Sequence, residues 1–109
     1  MAGKHSRNKG AGYEREVVNE LKDNGIAAER VPLSGAMKGN YGGDIKIGPT
    51  LGYIGECKRK KKGFTSIYNA FNQDDADLLF CRDDGEKTFV SMRMETFVTM
   101  ARQLGWIDD

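Results

Sequence analysis

Apolar residues recur along this chain with two different periods. Over residues 12–24 they fall at Val17, Val18 and Leu21, the one-sided stripe of an amphipathic helix that Gly25 stops. Residues 26–33 lack that period and read as a strand ending near Pro32. Residues 34–43 hold four glycines and read as a loop. Residues 44–47 form a short strand, Gly48-Pro49-Thr50 a turn and residues 51–59 a longer strand, together a hairpin. A second helix is expected over 65–76, with Ile67, Ala70 and Phe71 on one side. Strands at 78–82 and 87–92 flank the turn Asp83-Asp84-Gly85-Glu86. A third helix spans 94–104 through Phe97, Val98, Met100 and Ala101, and ends at Gly105, before an apolar Trp106-Ile107 that can dock. The order α-β-β-β-α-β-β-α predicts an α/β (α+β) fold, a mixed central β-sheet flanked by helices.

Strand alternation gives the pattern chemical content. Ile54, Glu56 and Lys58 share one strand face, and Tyr53, Gly55 and Cys57 the other. Asp44, on the neighbouring strand, lies beside Glu56 if the hairpin register allows it. Glu14 stands three, four and seven residues before Val17, Val18 and Leu21, so it shares the buried face of the first helix. A carboxylate there needs a partner, because burying it alone is costly. Glu16, Glu20 and Lys22 fall on the solvated side.

These groups suit metal-assisted hydrolysis of a phosphodiester. Magnesium takes one or two carboxylates and keeps water and phosphate oxygens as its other ligands. Asp44 and Glu56 supply the carboxylates, and the backbone carbonyl of Cys57 is a third candidate ligand. Glu14 would reach in directly or through water, and Lys58 would orient or help deprotonate the attacking water. An Asp…Glu-x-Lys spacing alone is common in charged proteins, where it marks surface ion pairs. Here it runs straight into Arg59-Lys60-Lys61-Lys62, where a phosphate backbone would pass.

Composition narrows the setting. At 109 residues, 39% hydrophobic and 30% charged, the chain has the make-up of one globular domain. We expect a flexible basic leader over residues 1–11 and a single domain over 12–109. No apolar run approaches the roughly 18 residues of a membrane span, and no apolar stretch follows the first charges. A cytoplasmic location is expected (host cytoplasm if phage-encoded), with no membrane partner and no small-molecule cofactor. The single histidine, His5, argues against histidine-built zinc sites. Cys57 and Cys81 are too few for a disulfide framework and are expected to be buried thiols.

The formal net charge of +1 hides an asymmetry. Residues 1–62 carry 13 Lys/Arg against 7 Asp/Glu, a charge of +6, and residues 63–109 carry 4 against 9, a charge of −5. The basic half points to a polyanion partner. Lys4, Arg7, Lys9, Arg15, Arg30, Lys38, Arg59, Lys60, Lys61 and Lys62 are its candidate DNA contacts.

Taken together, Gly12-Tyr13-Glu14-Arg15-Glu16-Val17-Val18, Arg30, Ser34-Gly35, Gly43-Asp44-Ile45 and Glu56-Cys57-Lys58 resemble the PD-(D/E)XK nuclease superfamily. Within it the chain looks most like the archaeal-type Holliday junction resolvases, which also occur in phages. The likeness covers about residues 9–60 in order and spacing. It implies a restriction-endonuclease-like core and a magnesium-dependent endonuclease (manganese substituting), usually a homodimer, that cuts four-way DNA junctions. Carried over by motif, Glu14, Asp44 and Glu56 are metal-site acids, Lys58 is the catalytic lysine and Ser34 assists beside the site. Gly43 stands where the motif has proline, and the acidic residues 63–109 match less well. Two alternatives therefore stay open: an endonuclease of the same superfamily acting on duplex, flap or repair intermediates, and a non-catalytic nucleic-acid-binding protein on the same fold.

Overall fold

The molecule is described by a computed structural model covering residues 2–31 and 44–107, with side chains for 11–31 and 44–107. The order is α1 (Ala2–Asp23), β1 (Ala28–Arg30), β2 (Ile45–Ile47), β3 (Tyr53–Gly55), α2 (Thr65–Asn72), β4 (Leu79–Cys81), β5 (Phe89–Ser91) and α3 (Met94–Gln103). The α/β class and the element order match the sequence pattern. Among the described residues the strands make two antiparallel sheets, β1-β2-β3 and β4-β5. The chain divides into two compact units, Met1–Arg59 with Ala101–Asp109, and Lys60–Met100. No helix among the described residues is long and apolar enough to cross a membrane. The predicted loop 34–43 lies outside the described residues.

In the first unit, α1 begins at Ala2, ten residues before its predicted start. Once residues 12–23 form a helix, each further residue adds a hydrogen bond without a new nucleation step, and only Gly3 and Gly10 oppose extension. Val18 and Leu21 are buried along one stripe, with Glu14 one turn ahead of Val18 on the same side. The helix ends in a Schellman motif. The Ile26 N–H donates to the Leu21 carbonyl at 2.9 Å, the Gly25 N–H to the Lys22 carbonyl at 2.9 Å, and Gly25 takes φ 86°. Leu21 and Ile26, the positions such a motif favours as apolar, are the two largest fully buried side chains among the described residues. A Cβ at Gly25 would lie 2.9 Å from Ile107 Cγ2, so glycine serves both the turn and the docking of the C-terminal segment. The end of α3 repeats the motif through Gly105 and Trp106, whose N–H groups donate to the carbonyls of Arg102 and Ala101 at 3.1 and 2.9 Å. Ile107 is buried there, and Trp106 stacks at 5.3 Å on Tyr53.

The first sheet is held in a single register. Ala28, Glu29 and Arg30 pair with Ile47, Lys46 and Ile45, and those three pair in turn with Tyr53, Ile54 and Gly55. Ile45 is buried at 2% exposure and lies over Gly55, where a Cβ would come within 2.7 Å of its Cγ1. Glycine at 55 is what lets this isoleucine into the core. The predicted strand 51–59 therefore shortens to Tyr53–Gly55, and Glu56-Cys57-Lys58 follows its end.

In the second unit Phe71 of α2 and Val98 of α3 are buried. Arg93 lies over the Phe71 ring at 5.5 Å and donates to Asn72 Oδ1. In the β4-β5 pair, Phe80 faces Val90 and Cys81 faces Phe89. Phe80 and Phe89 remain 66% and 55% exposed. Both cysteines are half-buried rather than buried: Cys81 ends the three-residue strand β4, and Cys57 lies in the segment past the end of β3.

Candidate active site

The site grows out of the point where β2 begins and β3 ends. Asp44 donates its N–H to the Gly55 carbonyl at 2.9 Å, although Gly55 is already the partner of Ile45. Two residues thus oppose one, in the manner of a β-bulge, and the ladder stops there. The bulge re-aims the Asp44 side chain along the chain that leaves β3. Its Oδ2 accepts the Cys57 N–H at 2.9 Å. An otherwise unpaired amide past the strand end is satisfied, and the tripeptide Glu56-Cys57-Lys58 is tied to Asp44 through its middle residue.

On either side of that anchor, Lys58 Nζ approaches Glu56 Oε1 at 3.7 Å, as the two-residue alternation leads one to expect. Both side chains are well exposed, at 65% and 41%, so this ion pair contributes little stability. Its consequence is positional: amine and carboxylate share one side of the segment.

Glu14 is buried at 8% exposure, and its required partner is Arg30 of β1, whose Nε donates to Oε1 at 3.1 Å. The partner is non-local, sixteen residues away, and it links α1 to the first sheet. Sequence reasoning assigned Arg30 to DNA. The signal for its carboxylate partner was already there, an acid on the apolar stripe of a helix.

The acids converge electrostatically on Cys57. Its thiol is pushed up to about 11, first by burial and then by the negative charges of Asp44, Glu14 and Glu56 in that order. All three predicted metal-site acids therefore act on one point. Among the described residues, however, no three His, Cys, Asp or Glu side chains are grouped closely enough to hold an ion. The oxygen donors expected from the sequence, the Asp44 and Glu56 carboxylates and the Cys57 carbonyl, are of the type a hard cation takes while it keeps water as its other ligands.

A neutral thiol has a chemical signature. With the thiolate the reactive form, alkylation of Cys57 by iodoacetamide at pH 8 should run about a hundredfold slower than for an unperturbed cysteine. The rate should climb roughly tenfold per pH unit until pH approaches the thiol's own value near 11. Peptide mapping of the labelled site checks this, and rapid labelling at pH 8 would contradict the arrangement of charges described.

Of the other predicted DNA contacts, Arg15, Arg59, Lys60, Lys61 and Lys62 are exposed. Ser34 and Lys38, and the side chains of Lys4, Arg7 and Lys9, lie outside the described residues. Phe64 and Tyr68, which line a cavity with the lysine run, escaped the sequence reading. The available signal was two aromatic residues four apart, one glycine after three lysines.

Residues 5–103 match the model of a family described as "phage putative PDDEXK endonuclease". No curated protein and no solved structure gives a significant match. The matched span includes Glu14, Asp44 and Glu56-Cys57-Lys58 and reaches into the last helix. The chain belongs to this phage PDDEXK endonuclease family.

Proposed function

We propose that this endonuclease is a magnesium-dependent DNA hydrolase whose substrate is branched DNA, most specifically the four-way junction. The observation that carries the metal-dependent chemistry is the Asp44 carboxylate held on the Cys57 amide. That bond sets a charged oxygen donor against a segment that also carries the Cys57 carbonyl and the Glu56 carboxylate. Asp44, Glu56 and the Cys57 carbonyl would hold the cation, whether one ion or two. Glu14, committed at Oε1 to Arg30, would act through a water. When bound, magnesium supplies charge neutralisation at the phosphate and a more acidic water. Manganese, similar in its preference for oxygen, should substitute.

The chain's own residues supply the rest. Lys58 is held on the Glu56 side of the segment, where its ammonium orients the attacking water and meets negative charge developing on phosphate. Ser34 assists near the same point. Arg15, Arg59 and the lysines that follow, with Lys4, Arg7, Lys9 and Lys38, take backbone phosphates. A non-catalytic binder is disfavoured by the acids themselves, which repel phosphate unless a cation intervenes. Paired incisions across a junction need two active sites, so the working form is a homodimer, and exposed Phe80 and Phe89 are candidate interface residues. The enzyme would work in the cytoplasm of the host.

The test is cleavage of a four-way junction, a flap and a linear duplex by the wild-type protein, with Mg²⁺ or with EDTA. The junction should be cut preferentially, and only with the metal. Equal cutting of junction and duplex would remove the junction assignment, and preferred cutting of the flap would replace it. Binding without cleavage of any substrate would remove catalysis.

A further inference from the structure

The second unit carries a cavity of about 300 Å³ lined by Lys60, Lys61, Lys62, Phe64, Thr65 and Tyr68. Its construction combines charge with rings. Phe64, just before α2, and Tyr68 both line the cavity, and the Tyr68 N–H donates to the Phe64 carbonyl at 3.0 Å. Lys60 Nζ lies 5.1 Å from the centre of the Phe64 ring, which engages that ring with a cation. Tyr68 is 59% exposed, so its ring is accessible to a ligand. Among the described residues no carboxylate is in ion-pair range of Lys60, Lys61 or Lys62.

A duplex backbone would use the lysines and leave the rings idle, because its bases are stacked inward. An unpaired nucleotide uses both, with its phosphate on the lysines and its base on an aromatic face. The volume stands at the lower end of the roughly 300–1,000 Å³ range for ligand pockets, which suits one nucleotide rather than a helix. We propose that this cavity binds an unpaired nucleotide of the DNA substrate, the base stacking on Tyr68 and the flanking phosphates meeting Lys61 and Lys62. The proposal rests on the endonuclease reading and deepens it: the preferred substrate exposes an unpaired nucleotide beside the scissile strand, as a flap does and as a four-way junction does where base pairs at its crossover open.

The experiment measures binding, in EDTA, of the full chain to fluorescent oligo(dT) and to a linear duplex of equal length. Tyr68→Ala should weaken oligo(dT) binding roughly 5- to 140-fold, the range for loss of one base–aromatic stack at about 1–3 kcal/mol. Duplex binding should change less than twofold, and Tyr68→Phe should keep wild-type affinity for both. Lys61→Ala with Lys62→Ala should weaken both ligands and flatten the salt dependence by about two phosphate contacts. Equal losses on oligo(dT) and duplex for Tyr68→Ala, or no loss on either, would overturn the proposal. So would a Tyr68→Phe variant as weak as Tyr68→Ala, since stacking needs the ring and not the hydroxyl. None of these readings depends on turnover. A wild type that binds as expected but never cleaves would sink the endonuclease mechanism and leave the nucleotide site standing.

Discussion

Asp44→Asn is expected to lower DNA cleavage about a thousandfold, equivalent to ~4 kcal/mol of transition-state stabilisation, with little change in fold stability. The amide keeps an oxygen that can accept the Cys57 N–H, so the anchor at 2.9 Å survives. What it removes is the negative charge needed to hold a hard cation against a phosphate. Alanine at the same position would remove both and confuse a folding defect with a chemical one. Three measurements separate the cases: single-turnover cleavage, manganese affinity by calorimetry, and the thermal midpoint. The expected result is lost cleavage and weakened metal binding at an almost unchanged midpoint. Cleavage within tenfold of wild type would mean that Asp44 is a structural acceptor only, and the site would have to be sought elsewhere. The same substitution should lower the pKa of Cys57, because Asp44 is the largest of the charges that raise it.

Arg30→Ala is expected to destabilise the fold by about 2–3 kcal/mol, a drop in thermal midpoint of roughly 10–20 °C for a domain of this size. The loss comes from the partner left behind. The Glu14 side chain is 11% exposed, and without the Arg30 Nε at 3.1 Å its carboxylate would be a buried charge with its main donor removed. Arg30 itself is 38% exposed and can be re-solvated at little cost, so the effect should follow Glu14. Adding Glu14→Gln to Arg30→Ala should therefore recover a good part of the stability, because a neutral amide is cheaper to bury. Denaturant unfolding of the two single variants and the double variant gives the coupling directly. Additive losses in the cycle would show that the two side chains do not interact and would detach α1 from the first sheet at this point. Activity distinguishes the roles further: Glu14→Gln alone should lower cleavage while binding of DNA persists.

Much of the fold was legible in the sequence, for a physical reason in each case. Val18 and Leu21 lie on the helical stripe that is in fact buried, and Gly25 and Gly105 end their helices because a left-handed φ is easiest without a Cβ. The hairpin was readable from Gly48-Pro49-Thr50 between two apolar runs. The extent of the first helix was not, because propagation from a formed helix is weakly coded residue by residue. The length of β3 was not readable either. It is set by Asp44 and Ile45 both meeting Gly55, and by the isoleucine that needs glycine opposite it. Separation into two antiparallel sheets depends on which strands find each other, and alternation within a strand carries no information about its neighbour.

The candidate site divides along the same line. Residue type and spacing were enough to bring forward Glu14, Asp44, Glu56 and Lys58, because local periodicity places side chains on faces and hydrolysis of a phosphodiester restricts which side chains are useful. Pairings across the chain came from folding: Arg30 on Glu14, the Cys57 amide on Asp44, and the combined field of three acids on one thiol. Such contacts join positions thirteen to sixteen residues apart through a bulge and a strand register, and distance in sequence does not encode distance in space.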